Sequence, residues 1–320
     1  MKVSAISSLA ILLSCRWGAA IAEASSIDPT GSAKEDNIHE EVEPAESFSL
    51  RGKAYGSFVE VDGIMERNLG ICNGAVGWLI GPDQNLHWEF CNDGNNNAGS
   101  GPVDVTVVAN LETVDWKNHF DATLSDWNQA DSIQVVAVHN PQYDSTDATT
   151  CTPAPNSIKV CNKNYGATGW VGIASVSILE VHIMSGSVRL NDHYFQLPQF
   201  NTAAWRASVM CQEMGHIFGL DHWDEDFTTN CDSCMDYSNQ PVRLSNKKDR
   251  DLLDEIYKGH CGERRLHENA EDDHHNLPGP PGNDDDDWGH WVESNSHSST
   301  YETEPDEHGH QWITKVLWVE

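Results

Sequence analysis

Residues 211–222 place several polar side chains at spacings that could do chemistry. Gln212 and His216 are four residues apart, so on a helix their side chains lie on one face, about one turn apart. Two ligands of a tetrahedral zinc ion, bound at about 2.0 to 2.1 Å, fit that arrangement. Glu213 is adjacent, where its carboxylate could take a proton from a metal-activated water and deliver it to a leaving amine.

Gly219 stands where the helix must end if a third side chain is to reach the same metal. Glycine adopts the left-handed conformation of such a helix stop without steric cost. His222 follows the turn and can approach the metal from outside the helix. The candidate metal ligands are therefore Gln212, His216 and His222, and Zn2+ is the expected cofactor.

These spacings resemble the signature of the metzincin zinc metallopeptidases, H-E-x-x-H-x-x-G-x-x-H followed by a methionine turn. The residues at matching positions are Glu213, His216, Gly219 and His222, with Gln212 where the first histidine would stand. The resemblance covers residues 100–260. It implies a matrixin-like α+β fold with a twisted mixed β-sheet, an active-site helix, a methionine turn and a C-terminal helix.

Residues 234–237, Cys-Met-Asp-Tyr, resemble the methionine turn. The resemblance implies that Met235 has a structural role, as an apolar floor beneath the metal, and that Tyr237 approaches the metal or the reaction intermediate. The implied activity is that of a secreted metalloendopeptidase, a protease that hydrolyses peptide bonds in protein or peptide substrates. Glu213 and Tyr237 would be its catalytic residues.

Gln212 departs from the signature, because an amide oxygen is a weaker zinc donor than an imidazole nitrogen. Three alternatives follow. Gln212 binds zinc through its oxygen; another residue takes its place, such as His182, His193 or Asp224; or strong zinc binding is lost. The second function to consider is therefore a secreted binding protein on a metzincin scaffold, with weakened or absent peptidase activity.

Hydrophobic spacing predicts the elements that position this helix. A strand at 103–108, an amphipathic helix at about 113–130 and a strand at 133–138 form a βαβ unit, whose strands we expect to be parallel. Further strands are predicted at 157–160, 170–179 and 187–190. Asn201 and Thr202 precede the predicted active-site helix, which runs to Phe218, and a last helix is predicted at 247–257.

Composition divides the 320 residues into four parts. Residues 1–22 are typical of a signal peptide, with a short apolar core and an Ala-Ile-Ala cleavage site. Residues 23–54 are interpreted as a flexible lead or propeptide, residues 55–262 as the catalytic domain, and residues 263–320 as an acidic, histidine-rich disordered tail. Within that tail, Trp312–Val319 is an apolar run too short to span a membrane, and a candidate docking strand.

The chain has a formal net charge of -31. Nucleic acids and anionic membranes attract basic surfaces, so this charge argues against either as a partner. We expect no membrane span and a monomer.

Cysteine usage fits secretion. Loss of the leader would remove Cys15, leaving eight of the nine cysteines, an even number. Proximity in sequence favours the pairs Cys72–Cys91 and Cys151–Cys161. A third pair, Cys211–Cys234, would tie the active-site helix to the methionine turn.

Overall fold

A computed structural model describes residues 58–61, 64–67, 72, 76–78, 85–88, 102–223, 227–258, 279–283, 287–295 and 297–319. The helices in this part of the chain are α1 (Val114–Trp127), α2 (Asp147–Thr150), α3 (Asp192–Phe195), α4 (Ala203–Ile217) and α5 (Lys247–Ile256). Its first strands are β1 (Phe58–Val61), β2 (Ile64–Arg67), β3 (Val76–Gly77), β4 (His87–Trp88), β5 (Val103–Asn110), β6 (Ile133–His139) and β7 (Ser157–Lys163). The strands that follow are β8 (Trp170–Leu179), β9 (His182–Asn191), β10 (Leu220–Asp221), β11 (His290–Ser294), β12 (Ser298–Glu302) and β13 (His310–Trp318).

One large mixed sheet dominates the fold. Its strand order is β11-β12-β13-β8-β9-β7-β5-β6, and β4 adds to β9 outside this path. The β5, β6, β7 and β9 strands run parallel, whereas β8 is antiparallel to β9. Two small antiparallel pairs, β1 with β2 and β3 with β10, lie outside the large sheet. The expectation of an α+β fold built on a mixed sheet is confirmed.

The βαβ unit forms as the sequence predicts. Thr113 caps α1 by accepting a hydrogen bond from the backbone N–H of Trp116. The buried face of α1 carries large apolar side chains at helical spacing, namely Trp116, Phe120, Leu124 and Trp127. Because β5 and β6 pair in parallel, this helix crosses over the sheet and buries that face against it.

The helix α4, predicted to carry the active site, packs tightly on β8 and β9. A Cβ atom at Gly172 of β8 would lie 2.4 Å from the Glu213 carboxylate oxygen, and one at Gly186 of β9 would lie 2.6 Å from Ile217. Both distances are far below van der Waals contact, so glycine at these two positions lets the helix approach the strands. The indole N–H of Trp88 donates to the Ile217 carbonyl at 2.8 Å and holds the end of the helix.

The structure corrects the prediction of a disordered tail at 263–320 for the part of that segment that it describes. Residues 287–295 and 297–319 contain β11, β12 and β13, and β13 pairs with β8 along its whole length. The predicted docking strand at 312–319 is thus confirmed. Composition was misleading because the acidic and Pro-Gly stretches before residue 288 outweighed the apolar residues after it. On β13, Ile313 packs in the main core and Val316 packs with Trp288 on the opposite face.

This correction also changes the predicted domain boundary. Residues 55–262 do not contain the whole sheet, since its last three strands come from the chain after residue 289. The predicted signal peptide at 1–22 and lead at 23–54 lie outside the described residues.

Three disulfides lie in the described part of the chain, and one of them joins distant segments. Cys151 pairs with Cys161 and Cys211 pairs with Cys234, as expected. Cys72 does not pair with Cys91: its partner is Cys231, 159 residues away, with the two Cα atoms 5.2 Å apart.

Proximity in sequence failed for Cys72 because the fold brings it beside the start of α5. There, the Lys248 ammonium donates to the Cys72 carbonyl at 2.7 Å. Cys91 and Cys261 lie outside the described residues. The three described disulfides fit an extracellular protein.

None of the helices in the described residues is long and apolar enough to cross a membrane.

The ordered C-terminal segment gives a stability prediction. Ile313 on β13 is 1% exposed in the main core, whereas Trp291 on β11 is 51% exposed. We expect Ile313→Ala to lower the free energy of unfolding by about 2–5 kcal/mol, because it leaves a cavity in the core. The control Trp291→Ala should change it by about 0.5 kcal/mol or less. Urea denaturation followed by tryptophan fluorescence measures both, and equal, negligible effects would support a disordered tail after all.

Candidate functional site

The candidate site is built on the last two turns of α4. Thr202 caps this helix by accepting from the backbone N–H of Trp205, and the helix ends at Ile217. Three candidate residues of the sequence lie on it: Gln212, Glu213 and His216. Their exposed fractions are only 1–5%.

Gly219 reverses the chain after α4, with φ +93°. A Cβ atom there would lie 2.2 Å from the carbonyl oxygen of Leu86, so space as well as backbone conformation requires glycine. The Gly219 carbonyl accepts from the backbone N–H of Trp78 at 2.7 Å, which joins the turn to β3. The chain then runs through β10 and returns His222 toward the helix.

His216 and His222 converge on one point. Their Nε2 atoms are 2.9 Å apart. The Nδ1 atom of His216 is 2.8 Å from the Leu220 carbonyl oxygen, which can only accept, so Nδ1 carries the proton and Nε2 presents a lone pair. Burial, followed by the positive charge of Lys315, lowers the pKa of His216 to about 4. This imidazole is therefore neutral at neutral pH, as a metal ligand must be.

The separation of the two nitrogens is close to, but shorter than, the spacing on a tetrahedral zinc ion. With ligand bonds of about 2.0–2.1 Å, two nitrogens on zinc are separated by about 3.3 Å. The observed separation of 2.9 Å is a few tenths of an ångström shorter. The hydrogen bond from His216 to the Leu220 carbonyl also supplies the outer contact that orients metal-bound imidazoles in proteins.

Glu213 points from α4 toward β8, against Gly172. Its side chain is buried, and within the described part of the chain neither carboxylate oxygen has a hydrogen-bond partner. Burial raises the pKa of Glu213 well above its usual value, and the positive charge of Lys315 only partly opposes this. An unpartnered buried carboxyl group is costly, and sites of this kind are frequently functional.

Lys315 is the site residue that sequence reasoning missed. It lies on β13, is 3% exposed, and its ammonium is 2.7 Å from Asp221 Oδ1. The same Asp221 oxygen accepts from the backbone N–H of His222 at 2.7 Å. Burial opposes ionisation of Asp221, but the ion pair with Lys315 outweighs it and lowers the pKa. The sequence signal that could have identified Lys315 is its position as a single charged residue within the apolar run 312–319.

Met235 lies beneath the candidate site, and Tyr237 lies beside it. Met235 is fully buried, and a Cβ atom at Gly215 would lie 2.2 Å from its sulfur, so it packs directly under α4. The Cys211–Cys234 disulfide joins this segment to the helix. The ring of Tyr237 lies 4.0 Å from that of His222, centroid to centroid.

A cavity of about 370 Å³ opens beside Gln212. Its walls are mainly apolar and aromatic, with Trp205 from α4 and Leu317 from β13 among the lining residues. Tyr237 also lines it. The candidate ligand Gln212 thus faces a space large enough for an amino-acid side chain.

The alternative ligands do not join the two histidines. His182 begins β9 and its ring lies 4.9 Å from that of His87, while His193 on α3 lies beside Tyr194. Asp224 lies outside the described residues. Within the part of the chain that the structure describes, no group of three or more His, Cys, Asp or Glu side chains could hold a metal. Two imidazoles are assembled, and the third candidate ligand there is the amide of Gln212.

Fold and site together define a mixed α+β protein with a buried pair of imidazoles beside a carboxyl group. No family model matches the chain, and no curated protein matches it. The structure of myroilysin is similar over 51% of this chain and 96% of that chain, at 10% identity and a TM-score of 0.29. High choriolytic enzyme 1, a hatching enzyme zinc-protease from Oryzias latipes (Medaka fish), is similar over 54% and 94%, at 12% identity and a TM-score of 0.29. At such low identities and TM-scores, the two similarities support no inference about function, so function must be inferred from the site itself.

The turn at Gly219 can be tested against a second left-handed glycine. Gly219→Ala adds backbone strain and a clash with Leu86, so we expect it to lower the free energy of unfolding by roughly 3 kcal/mol or more. Gly166 has φ +88° but open space around the missing Cβ. Gly166→Ala should therefore cost only about 1–2 kcal/mol. Urea denaturation compares the two, and equal costs would contradict the close approach of Leu86.

Proposed function

We propose that this protein is a secreted, zinc-dependent metalloendopeptidase of the metzincin type, which hydrolyses peptide bonds in protein or peptide substrates. One observation carries the proposal. The Nε2 atoms of His216 and His222 lie 2.9 Å apart, and Glu213 precedes His216 by three residues on the same helix. Neither carboxylate oxygen of Glu213 has a hydrogen-bond partner among the described residues. A pair of imidazoles beside a carboxyl group is the chemistry that hydrolytic zinc sites use.

His216 and His222 would hold the metal, with the amide oxygen of Gln212 as the third ligand. Gln212 is one helical turn before His216, so the two share a face of α4. When bound, zinc supplies Lewis acidity toward the substrate carbonyl and the attacking water. The amide oxygen is a weak donor, so we expect lower zinc affinity than a third imidazole would give.

Glu213 acts as the general base and acid. Its carboxylate oxygens have no hydrogen-bond partner in the described residues, so they are available to take a proton from water and return it to the leaving amine. Tyr237, packed on His222, is assigned to stabilise the oxyanion by donating a hydrogen bond. Met235 beneath α4 is assigned the role of the methionine turn, an apolar support that keeps the two imidazoles in place.

Zinc binding tests the metal site directly. The purified chain should bind about one zinc ion, measured by competition with a chromophoric chelator. His216→Ala and His222→Ala should weaken binding beyond the roughly 10–100-fold that loss of an outer contact costs. Gln212→His should tighten it, because an imidazole replaces an amide. His182→Ala, a histidine outside the cluster, is the matched control, and a wild-type affinity in the His216 and His222 variants would rule out this site.

Cleavage of an unfolded protein substrate tests the activity. We expect cleavage that a chelator abolishes and added zinc restores. Glu213→Gln should lower kcat by about 10²–10⁴-fold with zinc content unchanged, because only the proton transfer is lost. Glu255→Gln, on the exposed face of α5, should cleave like the wild type. If the zinc-loaded wild-type protein cleaved the substrate no faster than the Glu213→Gln variant, the proposed peptidase activity would be refuted.

That last outcome would favour the second candidate, a secreted binding protein on the same scaffold. Two observations support this candidate: the amide at Gln212, and the burial of the whole site beneath β13. Such a protein would bind peptides without hydrolysing them.

A further inference from the structure

The β8 strand passes directly over the candidate site. Gly172 on this strand touches Glu213, and Val171 lines the cavity beside Gln212. On one side, β8 pairs with β9 in the body of the sheet. Its other edge is therefore the sheet edge that runs closest to the candidate catalytic residues.

The chain's own C-terminal strand occupies that edge. The antiparallel register runs from His310 opposite Leu179 to Trp318 opposite Trp170, the full length of β8. Within the described residues, β11 and β12 reach the rest of the sheet only through β13. The three strands form a meander that is attached to the sheet by one strand pair.

The α4-facing side chains of β13 close the site. Lys315 pairs with Asp221, and Leu317 lines the cavity with Gln212. Under this cover Glu213 is 1% exposed, His216 2% and His222 7%. A peptide carbonyl cannot reach these groups while β13 is in place.

An extended peptide binds a sheet edge by adding a strand, with main-chain hydrogen bonds for affinity and pockets for alternate side chains. The β8 edge offers both, because the cavity lies beside it, with Leu317 and Trp318 of β13 in its wall. The mainly apolar and aromatic walls of the cavity suit a large apolar side chain.

We propose that β13 is a resident competitor at the β8 edge: it closes the candidate site until an extended peptide displaces it and pairs antiparallel with β8 in its place. The proposal that β13 competes for the β8 edge is argued from strand pairing and burial alone. The consequence for cleavage rests on the proposed peptidase function.

A disulfide staple tests the competition without touching the site. Ser175 and Thr314 are opposite each other on β8 and β13, and their hydroxyl oxygens are 3.0 Å apart. Opposite Cα atoms in an antiparallel pair are about 4.5–5.5 Å apart, within the range a disulfide accepts. Because neighbouring strand residues face opposite sides, Thr314 points away from the face that Lys315 covers. The Ser175→Cys, Thr314→Cys double variant therefore locks β13 in place, and each single variant is a control.

A nicked chain tests release. A site-specific protease sequence inserted between residues 263 and 278 leaves the full chain present but removes the covalent tie to the meander. The probe is a fluorescent peptide with the sequence of residues 310–318, followed by anisotropy. We expect the nicked chain to bind it at least tenfold more tightly than the intact chain, and the stapled chain not to bind it. The same peptide with Leu317→Asp should bind at least tenfold more weakly.

Cleavage of the unfolded substrate separates the two proposals. We expect the nicked chain to cleave at least tenfold faster than the intact chain, and the stapled chain more slowly than either single variant. Equal cleavage by stapled, intact and nicked chains would overturn the docking edge and leave the peptidase standing. Peptide binding that follows the expected order, with no cleavage by any zinc-loaded form, would support the edge and refute the peptidase. The staple changes only Ser175 and Thr314, which face away from Lys315, and its single variants control for the lost hydroxyl groups, so it decides the matter even if the nicked chain unfolds.

Discussion

The site depends on how closely α4 packs against the sheet. Gly172 and Gly186 remove the two side chains that would hold the helix away from β8 and β9. The close approach buries the polar face of the helix, and this burial raises the pKa of Glu213 and lowers the pKa of His216. The chemistry of the site therefore follows from a steric feature of two strands.

Burial at this depth requires compensation, because a charge in a low-dielectric interior is costly unless it is paired. The compensation is unequal. Asp221 is paired with Lys315, and the same carboxylate holds the backbone of His222. Glu213 has no partner in the described residues and is left with a raised pKa. A group held in that state is available for proton transfer or for a bound cation nearby.

The C-terminal meander links stability to access. Through Ile313 and Leu317 it completes the core, and through Lys315 it completes the charge balance of the site. The same contacts close the site to peptides. Under the proposed competition, the protein would exchange part of its own packing for a peptide strand, so access to the site would depend on how firmly these contacts hold β13.

Local features of this protein could be predicted from its sequence alone. The four-residue spacing of Gln212 and His216, the turn at Gly219 and the apolar periodicity of α1 each depend on neighbours within a few turns, so helix geometry alone predicts them. Tertiary structure decided the rest. The Cys72–Cys231 disulfide spans 159 residues, and β13 covers β8 from the other end of the chain, because strand pairing depends on which edges the fold leaves free. No local pattern in the sequence reports which edge that is, and so Lys315 became part of the site only in the folded chain.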